Sequence, residues 1–495
     1  MHIRWLFALA PLCLLAQDLK EFEKKVTEFT LANGLHMIVL RRPEAPVVSL
    51  VTYANVGSAN DQSNKTGLAH MLEHMAFKGT EILGTKNWPE EKKLLAEIEA
   101  IYDKLEAEKT KGPRGSKDLI GKLQADLKAT IEKANSYVDK EAYSRVIQEN
   151  GGVGMNAGTS VESTVYFYSL PANRVELWFL LNSQVFRQPI MREFYKERDV
   201  VREERRMRLE SSPQGKMQDA LLTTSFLAHP QRQIIGWASD IENLRAKDAE
   251  ELFRKYYVPQ NMVMVLAGDV DPQEVKRLAD QYYSTLPSGP PPPRVITEEP
   301  KQEGERRIAV ETPSQPILMM SYKRPDGMHP DDAPLTVLAS ALASGRTGVL
   351  YKEMVEQKKI SLAAFASANF IGNKFPGLFL FFAVPGMGKT LDENEKAMVE
   401  IIERMKKEKI DEVVLQRVKT KVRAGLIRSL DSNMGLAQQL AGNYILYGDW
   451  RKMFTSIQEI EKVTADDVQR VAKTYLVESG RTTVSTKAPP KGDAK

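Results

Sequence analysis

Apolar residues along this chain alternate in some stretches and recur at helical intervals in others. Phe29 and Leu31 precede Asn33-Gly34, a dipeptide suited to a tight turn, and Leu35, Met37 and Val39 alternate after it, so two paired strands are predicted. A further strand is expected over 47–53 and a helix over 66–78. Leu94, Ile98, Ile101 and Leu105 then follow helical spacing, Gly112-Pro113-Arg114-Gly115 interrupts it, and Leu119, Leu123, Leu127 and Ile131 resume it. Residues 89–138 therefore read as a helical hairpin with charged outer faces. Strand character returns over 161–170, and a long helix is expected over 193–209.

Residues 288–305 open with Ser288-Gly289-Pro290-Pro291-Pro292-Pro293-Arg294 and then turn charged. Such a stretch cannot continue a helix or a central strand and reads as an extended linker. The chain repeats itself across it. Asp240-Ile241-Glu242, Ala246, Asp248, Tyr256, Val258 and Val265 match Glu459-Ile460-Glu461, Ala465, Asp467, Tyr475, Val477 and Val484 at one constant offset. That is the mark of an internal duplication. The expected fold class is α+β, with two tandem similar domains over 17–287 and 306–495. Each is a mostly antiparallel sheet covered by helices on one side, and the first carries the helical hairpin as an insertion.

Composition narrows the classes. Of 495 residues 42% are apolar and 27% charged, which excludes wholesale disorder. With 69 basic against 65 acidic side chains the net charge is only +4, unlike a dedicated nucleic-acid binder. No apolar run reaches the roughly 20 residues of a membrane span. Residues 1–16 have Arg4, an apolar stretch from Trp5 to Leu15, and Ala16. They read as a signal peptide, which implies export to a bacterial periplasm or beyond the cell. The single cysteine, Cys13, lies within that leader, so the mature chain has no disulfide; Leu12 before it argues against a lipid anchor.

Two of the six histidines lie in His70-Met71-Leu72-Glu73-His74. On a helix, His70 and His74 are about 40° apart and Glu73 falls about 60° to the other side, so all three share a face. Leu68, Met71, Leu72 and Met75 lie opposite and can pack into a core. Two neutral imidazoles one turn apart can hold a zinc ion, and a carboxylate beside them can take a proton from a water that the metal acidifies. The order is the inverted H-x-x-E-H. A third ligand should be acidic or histidine. His229 and the cluster Glu197, Asp199, Glu203 and Glu204 are the options. Glu197 and Glu204 are two turns apart and share a face, which allows one carboxylate on the metal and one behind it.

The H-x-x-E-H pentapeptide, within Gly67-Leu68-Ala69 and Phe77-Lys78-Gly79-Thr80 and followed by Glu197-Arg198-Asp199-Val200-Val201-Arg202-Glu203-Glu204, resembles the pitrilysin/insulinase family of zinc peptidases. The similarity is greatest to the short-chain branch that includes mitochondrial processing peptidase and its bacterial relatives. It implies one zinc ion per chain on His70, His74 and Glu204, with Glu73 as the base and Glu197 supporting from behind. It implies an endopeptidase whose two domains, the second without metal, form half of a chamber. It also implies a strand that binds extended peptide, here Asn156, Ala157 and Thr159 within 154–159. The spacing from H-x-x-E-H to the third ligand exceeds the family's usual one, and the 89–138 hairpin accounts for the excess.

One departure stands out. The family's second domain usually supplies an arginine and a tyrosine near the zinc, and the matching positions here are Val349 and Ala363; Arg346, Tyr351 and Phe365 are nearby but out of register. The expectation is a dimer in which a homologous partner chain supplies the pair, a heterodimer or else a homodimer. The rival readings are a non-catalytic peptide-binding or assembly scaffold of the same fold, and a different zinc hydrolase such as an amidase acting on cell-wall peptides.

Overall fold

The hairpin at Asn33-Gly34 forms in the computed structural model, which describes residues 19–230 and 234–488; the signal peptide expected over 1–16 lies outside them. Gly34 sits at φ +92°, the left-handed geometry such turns ask of glycine. The turn joins β1 (Val26–Thr30) to β2 (His36–Arg41). With β3 (Val47–Ala54), β4 (Val153–Thr159), β5 (Thr164–Pro171) and β6 (Met262–Gly268) they form a sheet ordered β1-β2-β6-β3-β5-β4. Neighbours are antiparallel except β2 and β6.

Among the described residues, the second half builds the same sheet without a counterpart of β1. Strands β7 (Arg306–Glu311), β8 (Leu318–Arg324), β9 (Ser361–Phe370), β10 (Gly377–Pro385) and β11 (Arg481–Lys487) run in the order β7-β11-β8-β10-β9, with β7 and β11 the parallel pair. Helix Ala246–Tyr256 and β6 map onto helix Ala465–Tyr475 and β11 at the offset of the sequence repeat. These are two similar α+β domains of mostly antiparallel sheet. Residues 288–305 between them form neither helix nor strand.

The helical hairpin comprises helices Trp88–Lys109 and Lys117–Asn135. Leu94, Ile98, Ile101, Leu105, Leu123 and Leu127 turn inward and join the core of the first domain. Arg192 and Glu91 fasten it: Nε lies 2.6 Å from the carboxylate, and both side chains are 1% exposed.

Each sheet is covered on one face by its own helices. Alternation along β2 sends Met37 and Val39 into that core and Ile38 and Leu40 to the opposite face. All seven residues of β6 are buried, so the opposite face also needs an apolar cover. The second domain provides it. Helix Asn433–Tyr447 lays Leu436, Ala437 and Leu440 on Ile38, Val51 and Val265. In return helix Pro213–Ser225 of the first domain packs Met217 and Leu221 on Met319, Leu380 and Val484. Both helices start alike, with Ser212 accepting from the Gly215 amide and Ser432 from the Gly435 amide. The halves thus exchange one helix each.

Candidate metal centre

Helix Leu68–Met75 begins at Gly67, φ +92°, where a Cβ would lie 2.3 Å from the Ile235 carbonyl oxygen. Asp61 caps it, accepting the amides of Gly67 at 2.7 Å and Ala69 at 2.9 Å. Leu68, Met71, Leu72 and Met75 are buried in the core, so His70, Glu73 and His74 turn toward a cavity of about 1180 Å³. Helix Phe194–Arg205 faces them and continues into a π-helical turn, Arg206–Glu210.

Oε2 of Glu204 lies 3.6 Å from Nε2 of His70 and 3.5 Å from Nε2 of His74. These separations exceed a charge-assisted hydrogen bond of about 2.7–2.9 Å. They approach the roughly 3.3 Å expected between donors that each sit about 2.0–2.2 Å from one tetrahedral ion. Each of the three residues offers a donor atom within 4.8 Å of the others, and among the described residues they form the cluster suited to a metal ion. Two imidazoles and a carboxylate are a borderline-hard donor set that fits zinc.

Behind the cluster, Oε2 of Glu197 is 3.4 Å from Nδ1 of His74, and Lys78 donates to Oε1 of Glu197. Nη1 of Arg208 forms an ion pair with Oε1 of Glu204 at 2.8 Å. Nδ1 of His70 is buried without a hydrogen-bond partner among the described residues.

Charge in the metal-free pocket is uneven. Burial, with the nearby charge of His74, pushes His70 down to about 4. Burial also pulls His74 down, but the hydrogen bond to Glu197 and the close Glu204 carboxylate outweigh it and push that ring up to about 9. Glu197 is buried too, yet His74 and Lys78 hold it down at about 2. Glu73 is raised by burial, against the hydrogen bond from Thr159 and the charge of His74. A carboxylate raised above its usual range is better placed to accept and return a proton.

The remaining expected residues are placed as follows. β4 is the last strand of its sheet, and Asn156, Ala157 and Thr159 line the cavity beside the histidines. Thr159 Oγ1 donates to Oε2 of Glu73 at 2.6 Å, so its hydroxyl serves the carboxylate. Glu203 pairs with Arg206. His229 lies elsewhere, its ring 4.9 Å from that of Phe375. Of the described residues lining the cavity only Ile371 comes from the second domain. Val349 packs on the second core, Ala363 lies on β9, and Phe365 stacks on Phe382.

Sequence reasoning passes over Asp61, Arg208 and the role of Lys78. Arg208 follows Glu204 by four residues, the spacing that makes helical side chains neighbours, so that pair was legible in the sequence, whereas Lys78 meets Glu197 only through the fold. Asp61 precedes its helix by a loop and leaves no such signal.

Fold and donor set together define a metallohydrolase with a peptide-sized cleft. Comparison with known proteins narrows the class. The family described as Insulinase (Peptidase family M16) matches residues 36–111 and 130–236, and the Peptidase M16 inactive domain matches 243–422. The gap in the first match falls in the helical hairpin. The zinc protease PqqE of Helicobacter pylori is 26% identical over 466 residues, 92% of each chain. The beta subunit of mitochondrial-processing peptidase from Lentinula edodes is 24% identical, covering 90% of this chain and 86% of that one. A crystal structure of a protease from Helicobacter pylori superposes with a TM-score of 0.77 at 26% identity, over 94% of this chain and 99% of that one. The chain belongs to the insulinase (M16) family, and it is a metallopeptidase of that family.

Proposed function

We propose that this chain is a zinc-dependent endopeptidase acting on peptides or unfolded chains inside a chamber, as the metal-bearing subunit of a dimer. The observation that carries the reading is the convergence of His70, His74 and Glu204 beside Glu73, next to the outer edge of β4. His70, His74 and Glu204 would hold one zinc ion. Such an ion supplies Lewis-acid chemistry, polarising the scissile carbonyl and acidifying the attacking water. Glu73 takes the proton of that water and returns it to the leaving amine. Thr159 orients Glu73, and Glu197 holds the ring of His74 in place. Substrate adds to β4 as an extended strand past Asn156 and Ala157, through main-chain pairing that makes small demands on sequence.

The dimer is supported by what lines the cavity. Its described walls take only Ile371 from the second domain, and neither an arginine nor a tyrosine comes from there. A homologous partner would bring that pair. We read the chain as a leader over 1–16, a metal-bearing domain over 17–287, a linker over 288–305 and a metal-free domain over 306–495, exported to the periplasm. No described helix is long and apolar enough to cross a membrane. The scaffold alternative would not need Glu73 held beside the histidines. The test is cleavage of an internally quenched peptide by the zinc-loaded chain, alone and with any homologous chain that co-purifies with it. Metal-dependent cleavage that needs the second chain is expected; zinc binding without cleavage in either arm would favour the scaffold.

A further inference from the structure

The tips of two equivalent hairpins, one from each domain, meet at the rim of the metal cavity. Residues 160–163 join β4 to β5, and residues 371–376 join β9 to β10. Glu162, in the first tip, aims its carboxylate into the second. Its Oε1 accepts the Lys374 amide at 2.5 Å, and the carboxylate lies close against the main chain of Gly372. A main-chain N–H turned out of a loop is a ready partner for an anion. Here the anion is a side chain of the same protein.

The fit is close. Gly372 has φ +141°, a conformation that L side chains rarely adopt, and a Cβ there would lie 2.3 Å from Oε1 of Glu162 and displace the carboxylate. Lys374 reaches back across the same boundary, its Nζ donating to Oδ1 of Asn55 at 2.5 Å. The two domains therefore hold each other in both directions at this point.

The next residue on the cavity side is strained. Ile371 has φ +79°, a left-handed conformation that is a marked outlier for a β-branched side chain. Strain of this kind persists only where the surroundings over-determine it, and it gathers at functional sites. Ile371 faces the metal cavity together with Val161 and Leu222, and it packs on the cluster of Leu222, Phe226 and Leu378.

We propose that Glu162, held by the Lys374 amide against Gly372, is a positioning residue that fixes Ile371 as a wall of the cavity, and that Ile371 limits the size of the substrate side chain admitted there. The occupant of that space is a small or medium apolar side chain. The size limit rests on the peptidase reading above; the latch does not.

Two variants of the zinc-loaded chain in its native assembly test the proposal. Ile371→Gly suits the left-handed backbone and removes the wall. The ratio of kcat/KM for a peptide with tryptophan to one with alanine at the selected position should rise about tenfold or more, with zinc content unchanged. Glu162→Gln loosens the latch. Amide hydrogen exchange over 371–376 should quicken about tenfold or more, and the size ratio should move in the same direction. A ratio within twofold of wild type in Ile371→Gly overturns the wall, and unchanged exchange in Glu162→Gln overturns the latch. A wild-type chain that cleaves no peptide counts against the peptidase reading, and the exchange comparison still decides the latch.

Discussion

Nη1 of Arg208 pairs with one oxygen of Glu204 at 2.8 Å, while the other oxygen of that carboxylate faces the two imidazoles. The guanidinium thereby engages the oxygen that points away from the rings and leaves Oε2 to face them. The Arg208 side chain is 69% exposed, so removing it costs the fold little packing. Arg208→Ala should fold normally and bind zinc about 10–100-fold more weakly. Competition with a chromophoric chelator measures this, and unchanged affinity would show that Glu204 holds its orientation unaided.

Glu73 lies beside the donor cluster and is held by Thr159. Glu73→Gln should therefore keep its zinc while kcat falls about 10²–10⁴-fold, the range ascribed to a lost general base. Metal analysis alongside single-turnover kinetics would decide it. Full activity in this variant would remove Glu73 from the proton transfer.

His70 is buried and, being pushed down to about 4, is neutral near pH 7, ready to donate a lone pair. Treating the protein with a chelator should abolish peptide cleavage, and adding back zinc should restore it. In His70→Ala both bound zinc and cleavage should be lost together. Cleavage that survives chelation would point to chemistry independent of the metal.

The Arg192–Glu91 pair is almost wholly withdrawn from water, and the same guanidinium donates to the carbonyls of Lys78, Thr80 and Leu83. It ties the helical hairpin to the loop that follows the metal-binding helix. Arg192→Leu leaves the Glu91 carboxylate buried and unpaired, and should destabilise the protein by about 3–5 kcal/mol. Urea unfolding monitored by tryptophan fluorescence would report it; a loss below about 1 kcal/mol would mean that water reaches the pair.

Lys323 gives a pH dependence of defined sign. Its Nζ lies 3.7 Å from the centre of the Phe226 ring and 3.4 Å from Oε1 of Glu299, and burial pulls it down to about 8 against the attraction of Glu299. The unfolded chain holds that proton up to about 10.5, so between about 8 and 10.5 it carries more protons than the folded one. Stability from this group is present above that window and is lost as pH falls to about 8. Glu299 still accepts the amides of Leu227, Ala228 and His229 if the lysine is removed. Lys323→Met should therefore be more stable than wild type at pH 7 by roughly 1–3 kcal/mol, and the gap should close as pH rises. Denaturation at pH 7 and pH 10 measures it, and an equal gap at both would refute the cause.

Local periodicity determined much of this protein from sequence alone. Alternation around Asn33-Gly34, helical spacing through the 89–138 hairpin and the repeat ending in Val265 and Val484 each follow from backbone geometry that neighbouring residues share. The common face of His70, Glu73 and His74 follows for the same reason. Tertiary structure decided the rest. Spacing alone leaves Glu197, Asp199, Glu203, Glu204 and His229 open as a third ligand. Only the packing of two helices far apart in sequence brings Glu204 to both rings and sends His229 to Phe375. The exchange of helices Pro213–Ser225 and Asn433–Tyr447 likewise answers to burial of the second face of each sheet. Ile371 lines the cavity in a loop whose Lys374 amide donates to Glu162 of the other domain, a contact that no local pattern announces. A helical face is set within one or two turns of chain, whereas a packing partner is set by which distant apolar and charged surfaces exclude water together.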